Sequence, residues 1–404
     1  MKTIENFDFL NKKVILRVDF NVSIKDNKII SNDRIVAALP TIKYLIKKQA
    51  KVIIMSHLGK IKTKEDAEKN SLYIVYEELC KLLDTPVYFS SSTHGDILES
   101  KISALKNGEI LLMENTRFED LNDKKESNCN ISLAKYWASL GDIFINDAFG
   151  LSHRKHASNY GITKYIPSGI GFLMQKELKG LEPIINPHHP FVVIMGGAKL
   201  EDKIALIKSI LPKCDKLLLT GGIANTFLKT EVNIGKSLYS EESLEEAKKI
   251  LSIYKERIIL PKDCIVDSGG KANQKNVNEI KPEDIIYDIG QETLNSYEEI
   301  INSAKTIFLN GTAGKYELEN YENGTKAVLE MVSKSCAYSV IGGGDALSSS
   351  EYFNIDDFNF KSTGGGATLD YIAYGKIKCL EDENSNNWNL CFCFFYSIMM
   401  ARKV

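Results

Sequence analysis

Two sets of residues could do chemistry, and they differ in kind. The first is cationic: Arg17, Arg34, Arg117 and Arg154 with His57 and His153, all in the N-terminal half and at or near the ends of short apolar runs. Guanidinium forks match phosphate and carboxylate bidentately, so several converging on one pocket suit a small anion carrying both groups. Taken singly, each is more often a surface ion-pair partner. Arg34 follows Asn32-Asp33, a helix-start signal, and reads equally as an exposed first-turn residue. Arg17 lies inside an apolar run, where an unpaired guanidinium is expensive, so a carboxylate such as Asp19 or another neighbour in the fold is expected beside it.

The second set is built on backbone. Gly196-Gly197-Ala198-Lys199, Gly221-Gly222, Asn310-Gly311, Gly342-Gly343-Gly344-Asp345 and Gly364-Gly365-Gly366 all lie in the C-terminal half. Consecutive glycines let the chain approach a ligand closely and turn successive N–H groups toward an anion. Neither triplet has Walker or Rossmann spacing, and a single one would mark a turn more often than a phosphate site. Lys199 and Lys203 are spaced to share one helix face near its positive end, an arrangement that an intervening phosphate would relieve; otherwise they are a solvated surface pair. Asp345 can hold a magnesium ion bridging phosphates or cap a helix. No GxSxG, HExxH or Ser/His/Asp arrangement is present. Phosphoryl transfer between ionised oxygens needs none of them; it needs positioning and cations.

Elements must place these residues. Apolar runs at 14–18, 52–55, 110–113 and 143–145, then 191–195, 217–219, 306–309 and 338–341, read as buried strands, with helical periodicity at 34–48 and 203–211. That alternation predicts an α/β fold of parallel sheets, and both residue sets fall just past strand ends, where such sheets bind ligands. The contrast between the sets predicts two lobes, one gripping a small anion and one cradling a polyphosphate. The boundary is expected near 170–190, where a helix-like stretch at 173–181 precedes Pro183, Pro187 and Pro190.

Composition bounds the rest. A chain of 404 residues outgrows a single core, and 44% hydrophobic with 26% charged residues is an ordinary globular balance. A net charge of -2 excludes a global basic field for nucleic acid. Eight scattered cysteines suit reduced thiols rather than zinc or disulfides. The start, Met1 to Asn6, lacks a signal peptide's pattern, so a cytoplasmic protein is expected. The apolar run at 390–400 is too short to span a membrane, which takes roughly 20 residues.

As a series, Arg17-Val18-Asp19-Phe20-Asn21-Val22, Ser56-His57-Leu58-Gly59, Glu114-Asn115-Thr116-Arg117-Phe118, Asn146-Asp147-Ala148-Phe149-Gly150 with His153-Arg154, Gly196-Gly197-Ala198-Lys199, Asn310-Gly311, Gly342-Gly343-Gly344-Asp345 and Ser362-Thr363-Gly364-Gly365-Gly366 resembles the phosphoglycerate kinases in order and spacing, over roughly residues 10–378. The resemblance implies two Rossmann-like lobes, each a parallel sheet flanked by helices: residues 1–170 for 3-phosphoglycerate and 171–371 for nucleotide, joined by a hinge helix near 173–185, with 372–404 returning to the first lobe. It implies reversible transfer of a phosphoryl group from 1,3-bisphosphoglycerate to MgADP by a monomer. Asp19, Asn21, Arg34, His57, Lys60, Arg117 and Arg154 would hold the acid substrate. Lys199, Lys203, Gly221, Gly222, Asn310, Glu317, Gly342, Gly343, Gly344, Asp345 and Ala346 would hold ADP or ATP. Arg34, Lys199 and the amides of Gly343 and Gly366 would act on the transferring group, Glu317 would reach the ribose, and Asp345 would contact Mg2+.

Four departures stand out. Lys60 replaces the usual Arg, Ala346 the usual Thr or Ser, and Thr312-Ala313 the usual Pro with Met or Val; residues 382–404 leave the family pattern. The altered end leaves a second reading open, a nucleotide-binding homologue that has ceased to catalyse and binds a partner through its tail. A nicotinamide dehydrogenase would need a GxGxxG turn and a following acidic residue, and that set is absent.

Overall fold

The computed structural model describes residues 2–198 and 200–380, without the side chain of Asp202. Lys199, placed by its sequence among the reacting cations, and the divergent tail at 382–404 lie outside the described residues.

The first sheet is made by β1 (Lys13–Arg17), β2 (Lys51–Met55), β3 (Val87–Ser90), β4 (Ile110–Met113), β5 (Ile143–Asn146) and β6 (Ser168–Ile170). Next along the chain come β7 (Phe191–Met195), β8 (Lys216–Leu219) and β9 (Ile258–Ile259), then β10 (Asp263–Asp267), β11 (Ala272–Asn276) and β12 (Ile285–Ile289), and last β13 (Thr306–Asn310), β14 (Tyr338–Gly342) and β15 (Phe360–Ser362). The orders are β3-β4-β2-β1-β5-β6 in one six-stranded sheet and β9-β8-β7-β13-β14-β15 in the other. Every pairing in both is parallel. The expected α/β architecture is therefore present in both halves.

Parallel strands with helices on both faces are buried on both faces, which is why these segments are continuous apolar runs rather than alternating ones. Val14, Leu16, Val52 and Ile54 feed one core layer of the first sheet, while Ile15, Ile53, Leu111 and Trp137 feed the other. Each fully buried aliphatic side chain contributes about 1.5–3 kcal/mol relative to exposure. The helix Asp33–Lys47 buries Ile35, Ala38, Ile42 and Leu45 at helical spacing. Pro40 sits inside it. The carbonyl that this proline leaves unbonded belongs to Val36, which is exposed and can hydrate it.

Four strands and one sheet have no strong sequence signal. β3, β6, β9 and β15 are short, and β10–β12 form an antiparallel sheet in the order β11-β10-β12. β11 reads Ala-Asn-Gln-Lys-Asn and is exposed or half-exposed throughout, so apolar periodicity could not find it. The helix Phe172–Ile185 runs through Pro183 instead of ending before it. It packs on both halves: Phe172 meets Tyr44 edge-on at 5.1 Å, and Glu177 accepts bonds from Ser362 and Thr363. The last described segment returns to the first half, with Cys379 N donating to Ser152 O at 3.0 Å.

Candidate active site

In each large sheet the strand order reverses beside a central strand, and the crevice opens outside the carboxyl ends there. In the first sheet that point lies between β1 and β5. Past β1 stand Asp19 and Asn21; past the adjoining β2 stands His57; and the chain beyond β5 brings His153 and Arg154.

The expected cations act on one residue. Burial first, and then the positive charges of Arg17, Arg117, Arg154 and Arg34, push the His57 imidazole well below its usual value. His57 is therefore neutral at physiological pH. Its Nδ1 is buried with no hydrogen-bond partner, 3.8 Å from Asp19 Oδ1, and the neighbouring Thr116 Oγ1 is likewise unpartnered. Native proteins leave few such atoms unpaired, and an incoming polar ligand is a ready explanation.

Each guanidinium is held differently. Arg34, with 47% of its side chain exposed, is ion-paired to Asp19 at the mouth. Arg117 donates to Asp120 Oδ2 at 2.8 Å and to Ser127. Arg154 Nε donates to His153 Nε2 at 3.0 Å, so that nitrogen carries no proton. Asn21 Oδ1 accepts from Gly59 N at 2.8 Å, tying the loop past β1 to the loop past β2. Lys60 is exposed beyond that contact. Asp19 serves Arg34 and is not the main partner of Arg17. The carboxylate acting most on Arg17 is Glu126, with Asp19 second, and Glu126 reaches it through Ser158.

In the second sheet the reversal lies between β7 and β13. Gly196 N donates to Asn310 O at 2.8 Å and Gly197 N to Thr312 O at 3.1 Å, so two expected loops lie against each other there. Gly221-Gly222 closes on the same spot: a Cβ on Gly222 would stand 2.5 Å from Ala198 O, closer than any side chain allows. Lys203 sits at the end of a 3-10 turn and donates to Gly196 O at 2.6 Å, with the Cβ position of Gly311 3.0 Å away. Asn310 Nδ2 donates to Gly342 O at 2.6 Å, leaving its Oδ1 buried and unpartnered.

Gly343 has φ +97 and is the N-cap of the helix Gly344–Tyr352. Asp345 is thus in the first turn and is not the cap. It is exposed beside Gly344, around which nothing lies within 4 Å of a Cβ position. Ala346 is fully buried, so a larger hydroxyl side chain would need room there. Glu317 is exposed, and both it and Asp345 act on the ring of Tyr316.

The last glycine turn joins the halves. Gly366 opens the helix Gly366–Tyr374, and its Cβ position lies 3.7 Å from His153 Nε2. The Cβ position of Gly150 lies 3.9 Å from Gly364 O and 4.0 Å from Arg34 Nη1. Residues that sequence reasoning passed over include Glu126, Ser158 and Glu177. Glu126 sits in a charged run that reads as solvated surface, so only the buried Arg17 hinted that such a partner existed.

Two α/β sheets with a cationic pocket on one and a glycine-lined crevice on the other define the class as a two-lobed α/β phosphotransferase. Comparison with known proteins narrows it. The phosphoglycerate kinase family model matches residues 4–376. A phosphoglycerate kinase of Fusobacterium nucleatum subsp. nucleatum is 46% identical over 387 residues, 93% of this chain and 97% of that one. One from Macrococcus caseolyticus is 44% identical over 95% and 99% of the two chains. The structure of phosphoglycerate kinase from Coxiella burnetii superposes with TM-score 0.83 at 36% identity, covering 93% of this chain and 96% of that one. That from Pyrococcus horikoshii OT3 gives 0.80 at 32%. The chain belongs to the phosphoglycerate kinase family and is a phosphotransferase of glycolysis, passing a phosphoryl group between 1,3-bisphosphoglycerate and ADP. Nothing found supports the non-catalytic alternative.

Proposed function

We propose that the arginine pocket holds 3-phosphoglycerate or its bisphosphate and that the glycine crevice holds the adenine nucleotide, with the Gly364–Gly366 turn between them. The observation that carries this reading is a buried, neutral histidine whose unpartnered Nδ1 lies 3.8 Å from Asp19, the partner of Arg34, in the positive field of Arg117 and Arg154. Arg117 and Arg154 face the acid's phosphate or carboxylate, while Asp19, Asn21 and His57 orient its other polar groups. Lys60 adds a point charge at the rim. Lys203 and the amides at Gly221, Gly222 and Gly342–Gly344 take the nucleotide phosphates; Asn310 and Glu317 take the remainder, with Ala346 behind.

The residues fit a magnesium ion carried in with those phosphates. Mg2+ is bound by one or two carboxylates plus substrate oxygens rather than by an all-protein cage. Among the described residues no cluster of three or more potential ligands exists, and Asp345 is one exposed carboxylate beside open space. The ion would supply charge neutralisation on the nucleotide phosphates. Arg34, Lys199 and the amides of Gly343 and Gly366 stabilise charge on the phosphoryl group in flight.

The lobes are residues 1–170 and 171–371, with 372–380 docking back on the first through Cys379. The Phe172–Ile185 helix is the hinge whose closure excludes water and brings the reactants in line. The enzyme works as a cytoplasmic monomer without a nucleic-acid partner; among the described residues no helix is long and apolar enough to cross a membrane. Calorimetry tests the assignment. Arg154→Ala should lose 3-phosphoglycerate binding and keep that of MgADP; retained binding of the acid would refute it.

A further inference from the structure

Arg17 is only 1% exposed, and its guanidinium makes three contacts. Nε donates to Ser158 Oγ at 2.9 Å, and Nη1 donates to Val18 O and to Met55 O, the latter at 3.4 Å. Val18 immediately precedes Asp19, Met55 ends β2 just before Ser56-His57, and Ser158 lies in the helical turn Ala157–Gly161 that follows Arg154. One buried side chain therefore ties together three segments that carry pocket residues. A guanidinium at this depth is stable only if it is paired and its donors are used.

Its counter-charge is Glu126, which is 0% exposed. Glu126 Oε1 accepts from Ser158 Oγ and Oε2 from Ser158 N at 2.9 Å. The carbonyl of Glu126 accepts from Ala157 N at 3.0 Å. Burial pushes the Glu126 carboxyl up, and Arg17, Ser158 and Arg117 pull it back toward the ionised form. Glu126 also adjoins Ser127, to which Arg117 donates, so the fourth pocket segment shares the same hub.

We propose that Glu126 is a positioning residue for the acid substrate: through Ser158 and Arg17 it holds the Asp19, His57, Arg117 and Arg154 segments in one arrangement, and touches no substrate itself. The inference rests on the reading of the arginine pocket given above. Two physical effects oppose each other when Glu126 loses its charge. A more positive pocket attracts a polyanion more strongly, which lowers KM for the acid. A loosened Arg17 lets four segments drift, which raises it, and misplacement by about 1 Å can cost about 10²-fold. Positioning should win, because Glu126→Gln keeps the shape but turns one of its two accepting atoms into a donor.

The test is steady-state kinetics of the full chain, with 3-phosphoglycerate and MgATP varied separately. Glu126→Gln should raise KM for 3-phosphoglycerate by about ten-fold or more and leave KM for MgATP within about two-fold. Ser158→Ala, which keeps the Ser158 N contact, should move the same constant in the same direction by less, and carries the test alone if Glu126→Gln does not fold. The double variant should match Glu126→Gln, since both act through one path. An unchanged or lowered KM for the acid, or an equal rise for both substrates, overturns the proposal. Arg117→Ala run in parallel separates the two readings. If it loses the acid while the Glu126 and Ser158 variants do not, only the positioning role fails; if it too keeps the acid, the pocket reading fails and this inference with it.

Discussion

A guanidinium that is half exposed and held by a single ion pair can swing without disturbing the core, and Arg34 on Asp19 is in that state. Its value is then realised in catalysis more than in folding. Arg34→Ala should lower kcat by about 10³-fold, the scale of an arginine that neutralises a phosphoryl group in flight, and change the melting temperature little. A kcat within about ten-fold of wild type would remove Arg34 from the reacting set. His156 works the other way. Burial first, then Arg117, Arg17, Arg154 and His57, push its imidazole down to about 3. A group whose pKa is depressed on folding takes up a proton more readily when unfolded, so it contributes stability above about pH 6.5 that is lost as pH falls toward 3. Chemical denaturation across pH 4.5–7.5 should therefore show the stability gap between wild type and His156→Gln narrowing on acidification; a constant gap would contradict the assignment.

At the scale of elements, the nucleotide crevice depends on backbone shape at strand ends. Gly343 combines φ +97 with a Cβ position 2.4 Å from Asn310 Nδ2, so an alanine there is strained twice over. The backbone part costs about 1–3 kcal/mol, and the steric part must shift the side chain of Asn310, which spans β13 to β14. Gly343→Ala should raise KM for MgATP and leave that for 3-phosphoglycerate alone. Equal effects on both would mean that the turn serves the fold and not the nucleotide.

For the whole molecule the question is how two sites on separate sheets meet. Glu177 in the Phe172–Ile185 helix accepts from Ser362 Oγ at 2.7 Å, Thr363 N at 2.9 Å and Thr363 Oγ1 at 2.8 Å, which ties that helix to the strand end leading into Gly364. Asp147, just past β5 of the first sheet, accepts from Met174 N at 3.1 Å and so holds the same helix one turn before Glu177. A helix anchored to both halves moves as a lever while the turns at its ends absorb the change. Small-angle scattering should show a smaller radius of gyration with 3-phosphoglycerate and a non-hydrolysable MgATP analogue together than with either alone. No difference would argue against closure.

Some of this was legible without a structure, and the division has a physical basis. Local rules determined the parallel α/β class, the principal strands, the Asp33–Lys47 helix and both candidate residue sets. Strand runs, helix periodicity and glycine turns act over neighbouring residues, and ligands gather at parallel strand ends whatever the chain does elsewhere. Tertiary structure decided what depends on contacts across more than a hundred residues. Arg17 announced its need for a carboxylate, yet only folding could select Glu126 through Ser158, because their separation in sequence carries no pattern. The exposed β11 strand and the anchoring role of Glu177 were hidden because their pairing partners set them, across a tight turn for β11 and across 185 residues for Glu177, and their own residue types are those of ordinary solvated surface.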